Sequence, residues 1–246
     1  MSITKAYSGA YSALGSVFEY FNDDCGYEQW SQYLIDRLQG LGAGAVGIDI
    51  GCGNGYFTRA LYKAGYSVTG LDSSPQMLSA AVDLAAKHRV KADFILQDVT
   101  KLSLNFRPDF AVAVNDCVNY IPPQKLQATF ARVHKCLKKG GFFLFDVSSE
   151  HKLRHIVGSN LFARDFDNAT LLWFNTLSGD RVDMDVTVFT RLPDGKYTRA
   201  DERQTQYIYG ETQILTALTQ CGFAAEAEGH LGGDKAERIN FICKKL

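Results

Sequence analysis

The residues whose types and spacing could do chemistry begin with Gly51-Cys52-Gly53-Asn54-Gly55, which follows the apolar run Val46-Gly47-Ile48-Asp49-Ile50. Closely spaced glycines permit a sharp turn that side chains would resist, and they let a ligand approach the backbone where no Cβ intervenes. If a helix starts there, its unpaired N–H groups and partial positive charge suit a carboxylate. The companions are acidic. Asp72 ends a second apolar run, and a carboxylate there can accept hydrogen bonds from both hydroxyls of a ribose. Asp98, within Gln97-Asp98-Val99, ends a third run and could accept from an adenine amino group. A dinucleotide fingerprint, G-x-G-x-x-G, would need glycine where Tyr56 stands, which disfavours a nicotinamide oxidoreductase.

A second polar group, Asn115, Asp116, Asn119 and Tyr120, follows a fourth apolar run. Asp116 and Tyr120 are the candidates for touching a reacting group or acting as a base, with capping of the next segment as the alternative role for Asp116 and Asn119. Arg203, Tyr207, Tyr209 and His230 are weaker candidates, better explained as a solvated sheet face and a structural histidine. No metal is expected. His151 and His155 are four apart but lack the further ligands of an H-E-x-x-H pattern. Cys25, Cys52, Cys117, Cys136, Cys221 and Cys243 form no C-x-x-C pair and read as free thiols in a reducing compartment.

Placing these residues requires an alternation of strands and helices. Strands are predicted over 45–50, 67–71, 92–96, 110–114 and 142–147, and helices over 56–64, from about 75, and over 123–138. Ser73 or Ser74 caps the helix that begins with Pro75. The short, continuously apolar strands suit a parallel sheet buried on both faces, giving a doubly wound α/β fold. Ligands of such sheets bind at the carboxyl ends of the strands, where the motifs above fall. After residue 150 the pattern changes. A helix over 149–157 precedes strand-like segments over 170–177, 181–191 and 197–209, with turns at Ser178-Gly179-Asp180 and Pro193-Asp194-Gly195. Val182, Met184, Val186 and Val188 alternate on one face. A helix over 211–221 and strands over 223–231 and 238–244 complete the first sheet, the last strand antiparallel. Residues 1–40 read as helical from Tyr7, Tyr11, Leu14, Val17 and Phe18 and then Trp30, Leu34, Ile35 and Leu38, interrupted at Asn22-Asp23-Asp24 and Gly26.

Composition narrows the partners. The 246 residues carry a formal net charge of −1, with no overall positive charge for a nucleic-acid backbone. No apolar run approaches the ~20 residues of a membrane span, and the N-terminus lacks the apolar core of a secretory signal, so a cytoplasmic protein is expected.

Five ordered motifs together resemble the class I S-adenosylmethionine-dependent methyltransferases: Ile48-Asp49-Ile50-Gly51-Cys52-Gly53-Asn54-Gly55, Leu71-Asp72-Ser73-Ser74 with Met77, Gln97-Asp98-Val99, Asn115-Asp116, and Leu137-Lys138-Lys139-Gly140-Gly141. The likeness covers 45–147 in detail, and 211–246 fits the last helix and strand pair. It implies a Rossmann-like fold with S-adenosylmethionine as cofactor and S-adenosylhomocysteine as product. The backbone from Gly51 to Gly55, including Cys52 and Asn54, would line the methionine part. Asp49 would orient that loop, Asp72 would hold the ribose, Ser73 and Met77 would flank the adenine, and Gln97, Asp98 and Val99 would meet its edge. Asn115 would contact the methionine end. The stretch Tyr11…Phe18-Glu19-Tyr20…Tyr27-Glu28-Gln29-Trp30 resembles small-molecule members whose leading helices cover the cofactor, which adds Tyr11 and Tyr27. The insertion after the fifth strand resembles the lid of glycine and amino-sugar N-methyltransferases. Asn119-Tyr120-Ile121-Pro122 departs from the Asn/Asp-Pro-Pro-aromatic motif of base and glutamine amino-methyltransferases. The expectation is therefore a helical cover over 1–40, a cofactor domain over 41–150 and 210–246, and a β lid over 151–209. The enzyme would transfer a methyl group to a nitrogen or oxygen of a small polar metabolite, as a monomer or homodimer, with neither nucleic acid nor membrane as partner. An RNA methyltransferase and a non-catalytic S-adenosylmethionine-binding subunit are the alternatives.

Overall fold

The computed structural model describes residues 7–11, 13–14 and 26–246. Helix α1 (Tyr27–Gly40) buries Trp30, Leu34 and Leu38, one apolar stripe at four-residue spacing. Then follow β1 (Val46–Ile50), α2 (Tyr56–Lys63), β2 (Ser67–Asp72), α3 (Pro75–Lys87), β3 (Asp93–Leu96), β4 (Phe110–Ala113), α4 (Pro123–Cys136) and β5 (Phe142–Ser148). Ser74 is the cap of α3, accepting from the Met77 N–H at 3.3 Å, with Pro75 in the first turn. Strands β6 (Leu161–Phe166), β7 (Ala169–Ser178), β8 (Arg181–Arg191) and β9 (Tyr197–Tyr207) come next, then α5 (Glu211–Gln220), β10 (Phe223–Gly229) and β11 (Arg238–Lys245).

Two sheets result. The first has seven strands in the order β10-β11-β5-β4-β1-β2-β3; β11 runs antiparallel to both its neighbours and the other pairings are parallel. Every residue of β4 and β5 is buried, as helices on both faces demand. The second is the antiparallel sheet β6-β7-β8-β9. Its buried face sets Leu171, Val186 and Val188 against Ala13 and Leu14, and Val182 and Met184 against Leu153 and Ile208. Each of the valine, leucine, isoleucine and methionine side chains among these contributes roughly 1.5–3 kcal/mol when removed from water.

Four readings of the sequence change. Residues 7–11 are not helical: Ser8 pairs with Glu202 on the free edge of β9, and Tyr11 has a φ of 60°. The helical spacing of Tyr7 and Tyr11 reflects contacts with the second sheet instead. Val17, Phe18, Glu19, Tyr20, Asn22, Asp23, Asp24 and Cys25 lie outside the described residues. The helix expected over 149–157 is a short π-helical stretch, Lys152–Val157. Strand β6 was not anticipated, because most of its residues are exposed and no apolar alternation marks it. Tyr209, read as part of a solvated face, is 1% exposed in the core beyond β9 and donates its hydroxyl to the Ile121 carbonyl. Among the described residues no helix is long and apolar enough to cross a membrane.

Candidate active site

Strand β1 delivers the chain into the glycine turn. Gly51 has a φ of 68°, and a Cβ there would stand 2.5 Å from the Cys117 sulfur. The N–H groups of Gly51 and Cys52 both donate to the Leu71 carbonyl, at 2.7 and 3.0 Å, which ties the turn to β2. Gly55, φ 74°, opens α2, and a Cβ on it would press on Phe94 and Ala81 at 3.0 and 3.2 Å. Both positions need glycine for conformation and for space.

The turn forms one wall of a chamber of about 200 Å³. Asp72 faces it. Its two carboxylate oxygens accept from the N–H groups of Gly53 and Ser74, each at 2.8 Å. Each oxygen keeps lone-pair capacity for a further donor. Burial pushes the Asp72 carboxyl above its ordinary range, against these hydrogen bonds. Asp98 accepts from the Thr100 N–H at 2.8 Å and from the Thr100 hydroxyl at 2.9 Å. Of the residues singled out in the sequence, Tyr11, Gly51, Gly53, Asp72, Ser73, Met77, Gln97, Asp98, Val99, Asn115 and Tyr120 line this chamber.

The others stand behind that lining or beside it. Asp49 is 1% exposed and accepts from the Thr58 hydroxyl at 2.6 Å. Burial raises its carboxyl to about 6, with the Thr58 hydrogen bond opposing. Cys52 and Asn54 are buried, and the Asn54 carbonyl accepts from Arg59 at 2.6 Å. Tyr27 packs on Tyr56 and Phe57, and its hydroxyl accepts from the Asn115 side chain at 3.0 Å. Asp116 lines a second chamber.

Asn115 and Asp116 are consecutive residues in the left-handed region, φ 62° and 65°. Such positions in non-glycine residues cost of order 1–3 kcal/mol each and persist only where the surroundings enforce them. The enforcing group is Asp146 of β5, whose carboxylate accepts from both N–H groups at 2.7 and 3.1 Å. Arg238 of β11 completes the cluster. It donates to Asp116 at 2.6 and 3.3 Å, pairs with Asp146, and lies 4.6 Å from the Trp30 ring centre. Burial works to raise the Asp116 carboxyl, but the Arg238 guanidinium, then Lys152 and the Ser148 hydroxyl, bring it below the ordinary range. Burial prevails at Asp146, which is raised.

The second chamber, about 350 Å³, lies between the strand ends and the second sheet. Tyr11, Asn115 and Tyr120 line both chambers and so form a shared wall. The hydroxyls of Tyr11 and Tyr120 are 3.0 Å apart. Tyr120 donates to the Gln204 carbonyl oxygen at 2.8 Å, so Tyr11 is the donor between the two phenols. The Gln204 amide nitrogen turns to Glu202 at 2.5 Å, and the fully buried Glu202 carboxylate also accepts from the N–H groups of Tyr11, Ala13 and Leu14 at 3.2, 2.8 and 3.1 Å. Burial raises the Tyr120 phenol well above its ordinary value. Arg203 and Tyr207 line neither chamber. His230 packs edge-on against Trp30, ring centres 4.6 Å apart. His151 and His155 have ring centres 5.2 Å apart, and no group of three metal-ligating side chains occurs among the described residues.

Reading by motif missed Asp146, Lys152, Arg238 and the series Glu202, Gln204, Gln206. Signals existed. Asp146 is a lone carboxylate inside the apolar run Phe142-Phe143-Leu144-Phe145-Asp146-Val147, and the series places polar residues at every second position from 202 to 206 in β9, all buried.

Residues 48–141 match the family described as a methyltransferase domain. Across nearly its full length the chain is 30% identical to a protein of Geobacillus sp. (strain WCH70) named as a putative methyltransferase, covering 96% of this chain and 99% of that one. The crystal structure of an S-adenosylmethionine-dependent methyltransferase from Clostridium acetobutylicum superposes with a TM-score of 0.86 at 27% identity, over 94% of this chain and 98% of that one. A sugar N-methyltransferase from a Streptoalloteichus species shares the fold at 16% identity, with a TM-score of 0.79 over 100% and 98% of the two chains. Matches confined to less than half of this chain include ribosomal RNA and ubiquinone-biosynthesis methyltransferases.

Proposed function

This chain belongs to the class I S-adenosylmethionine-dependent methyltransferases, and we propose that it methylates a nitrogen or oxygen of a small polar metabolite held in the larger chamber. The observation that carries this reading is the wall of Tyr11, Asn115 and Tyr120, which separates a glycine-lined chamber from one under the second sheet. In this reading the second sheet is the lid, and residues 7–11 with Ala13 and Leu14 are a strap fastened to it by Glu202.

The smaller chamber suits the cofactor. Asp72 has an acceptor site left on each oxygen for the ribose hydroxyls, Gly51 and Gly53 offer bare backbone to the methionine part, and Asp98 and Val99 stand where the adenine edge would lie. When bound, S-adenosylmethionine supplies an electrophilic methyl group whose displacement leaves a neutral thioether, S-adenosylhomocysteine. The protein's contribution is then orientation and exclusion of water, which can supply roughly 7–11 kcal/mol of barrier lowering. Tyr120 stays protonated and positions by hydrogen bonding. Asp116 is a weak base, its oxygens already engaged by Ser148 and Arg238. The acceptor therefore presents a lone pair that is already free, as a neutral amine does.

An RNA base is the rival acceptor, favoured by the partial matches to ribosomal RNA enzymes. A formal net charge of −1 offers it little of the counterion release that drives RNA binding. The test is calorimetric titration of the wild type and Asp72→Ala with S-adenosylmethionine, S-adenosylhomocysteine and NAD, followed by assays of methyl transfer to small amines, small alcohols and RNA. The expected result is binding of both sulfur compounds but not NAD, at least ten-fold weaker in the variant, and turnover with small acceptors alone. Turnover on RNA alone would overturn the acceptor class. Cofactor binding without any turnover would point to a binding subunit.

A further inference from the structure

Two side-chain groups in the larger chamber make no hydrogen bond among the described residues, the Lys152 ammonium and the Asn175 amide oxygen, and they differ in kind. Lys152, at the start of the π-helical stretch, lines the chamber; its ammonium acts on Asp116 at a distance but makes no hydrogen bond or ion pair among the described residues. Asp116, the one carboxylate in the lining among the described residues, is taken up by two contacts to Arg238, at 2.6 and 3.3 Å, and one to Ser148 at 2.7 Å. Arg238 is in turn balanced by Asp116 and Asp146. The second group is Asn175 of β7, 6% exposed. Its amide nitrogen donates to the Asn160 carbonyl at 3.0 Å, which fixes the orientation of the amide. Its oxygen is buried in the chamber wall and accepts no hydrogen bond. A buried acceptor left in that state is costly unless a donor reaches it, and a ligand that entered the chamber and turned the Asn175 side chain slightly toward it would supply one. Leu171, Trp173 and Met184 provide apolar wall.

We infer that the methyl acceptor is a small acid: it carries a carboxylate or phosphate that pairs with Lys152, together with a hydroxyl or amine hydrogen that Asn175 accepts. A cationic acceptor would find Asp116, the one carboxylate among the described lining residues, already engaged by Arg238, and Lys152 would repel it. This inference rests on the larger chamber being the acceptor site.

The experiment uses the full-length protein saturated with S-adenosylhomocysteine, as wild type, Lys152→Gln and Asn175→Ala. Inorganic phosphate, acetate, glycolate and ethylamine are titrated in, followed by tryptophan fluorescence, since Trp173 lines the chamber. At least one anion is expected to bind saturably to the wild type, ten-fold or more weaker to Lys152→Gln, with ethylamine not binding. Glycolate, which adds a hydroxyl to acetate, is expected to bind more tightly than acetate in the wild type and equally in Asn175→Ala. S-adenosylhomocysteine affinity should stay within two-fold throughout. No saturable anion response, an equal response in Lys152→Gln, or preferential binding of ethylamine would overturn the inference. Failure of S-adenosylhomocysteine to bind the wild type would instead strike the methyltransferase reading itself.

Discussion

The two chambers that meet at Tyr11, Asn115 and Tyr120 are built by different means. The smaller is made of turns at the ends of β1 to β4, where bare backbone and short acidic loops face the cavity. The larger is assembled from side chains on the loop after β4, on β5, on the π-helical stretch, on β6 to β9 and on β11. A wall of backbone tolerates little change, because altering it means altering φ or adding a Cβ. A wall of side chains can be exchanged residue by residue while the strands stay in place. The first suits a ligand common to a whole family, and the second a ligand peculiar to one member.

Substitutions can break or sharpen that contrast. The largest effect is expected at Arg238, which serves the shared boundary. Arg238→Leu would strand Asp116 and Asp146 as buried, unpaired carboxylates and is expected to cost about 3–5 kcal/mol in urea denaturation. An unchanged midpoint would mean that the left-handed pair Asn115-Asp116 does not depend on this cluster.

Beneath the smaller chamber, Asp49 should give a pH signature. Its carboxyl is raised from 3.8 to about 6, so the protonated form is favoured in the folded state. The stabilisation from this shift is complete below about 4 and is lost as pH rises through about 6. Relative to Asp49→Asn, the wild type is expected to lose on the order of 2–3 kcal/mol between pH 4 and pH 7. Parallel stability profiles for the two proteins would show that Asp49 is not desolvated as described.

Gly51→Ala attacks the backbone wall directly. A left-handed alanine costs roughly 1–2 kcal/mol, and the new Cβ would displace the Cys117 sulfur. Cofactor affinity measured by calorimetry is expected to fall ten-fold or more, while anion binding in the larger chamber is retained. Equal losses in both would mean that the chambers are not separately built. The smallest effect is expected at the shared wall. Tyr120→Phe removes the donor to Gln204 and the acceptor for Tyr11. It should lower kcat/KM for the acceptor by about ten-fold, or about 1.4 kcal/mol, with cofactor affinity within two-fold.

The same contrast decides what could be read from the chain. The smaller chamber was legible because its parts are contiguous: Gly51 to Gly55, Asp72-Ser73 and Gln97-Asp98-Val99 each sit in one short run after an apolar strand. Asp49, Cys52, Asn54 and Gly55 belong to those runs but support the turn from behind: Asp49 sits in a strand buried on both faces, Cys52 and Asn54 are buried within the turn, and Gly55 packs under Phe94 and Ala81. The larger chamber was hardly legible. Arg238 meets Asp116 across 122 positions of sequence, and Tyr120 meets Gln204 across 84. Tyr7 and Tyr11 misled through their helical spacing. Tertiary contacts won there: the Tyr7 hydroxyl donates to Asp185 at 3.1 Å and its ring lies 4.2 Å from the Arg203 guanidinium.

The division into two chambers is tested most directly by a crystal structure of the protein with S-adenosylhomocysteine. The adenosine is expected against Asp72 and Asp98, the amino-acid end along Gly51 and Gly53, and the sulfur facing the wall of Tyr11, Asn115 and Tyr120, with the chamber around Lys152 and Asn175 left free. S-adenosylhomocysteine lying in that larger chamber, or reaching through the wall to fill both, would contradict it.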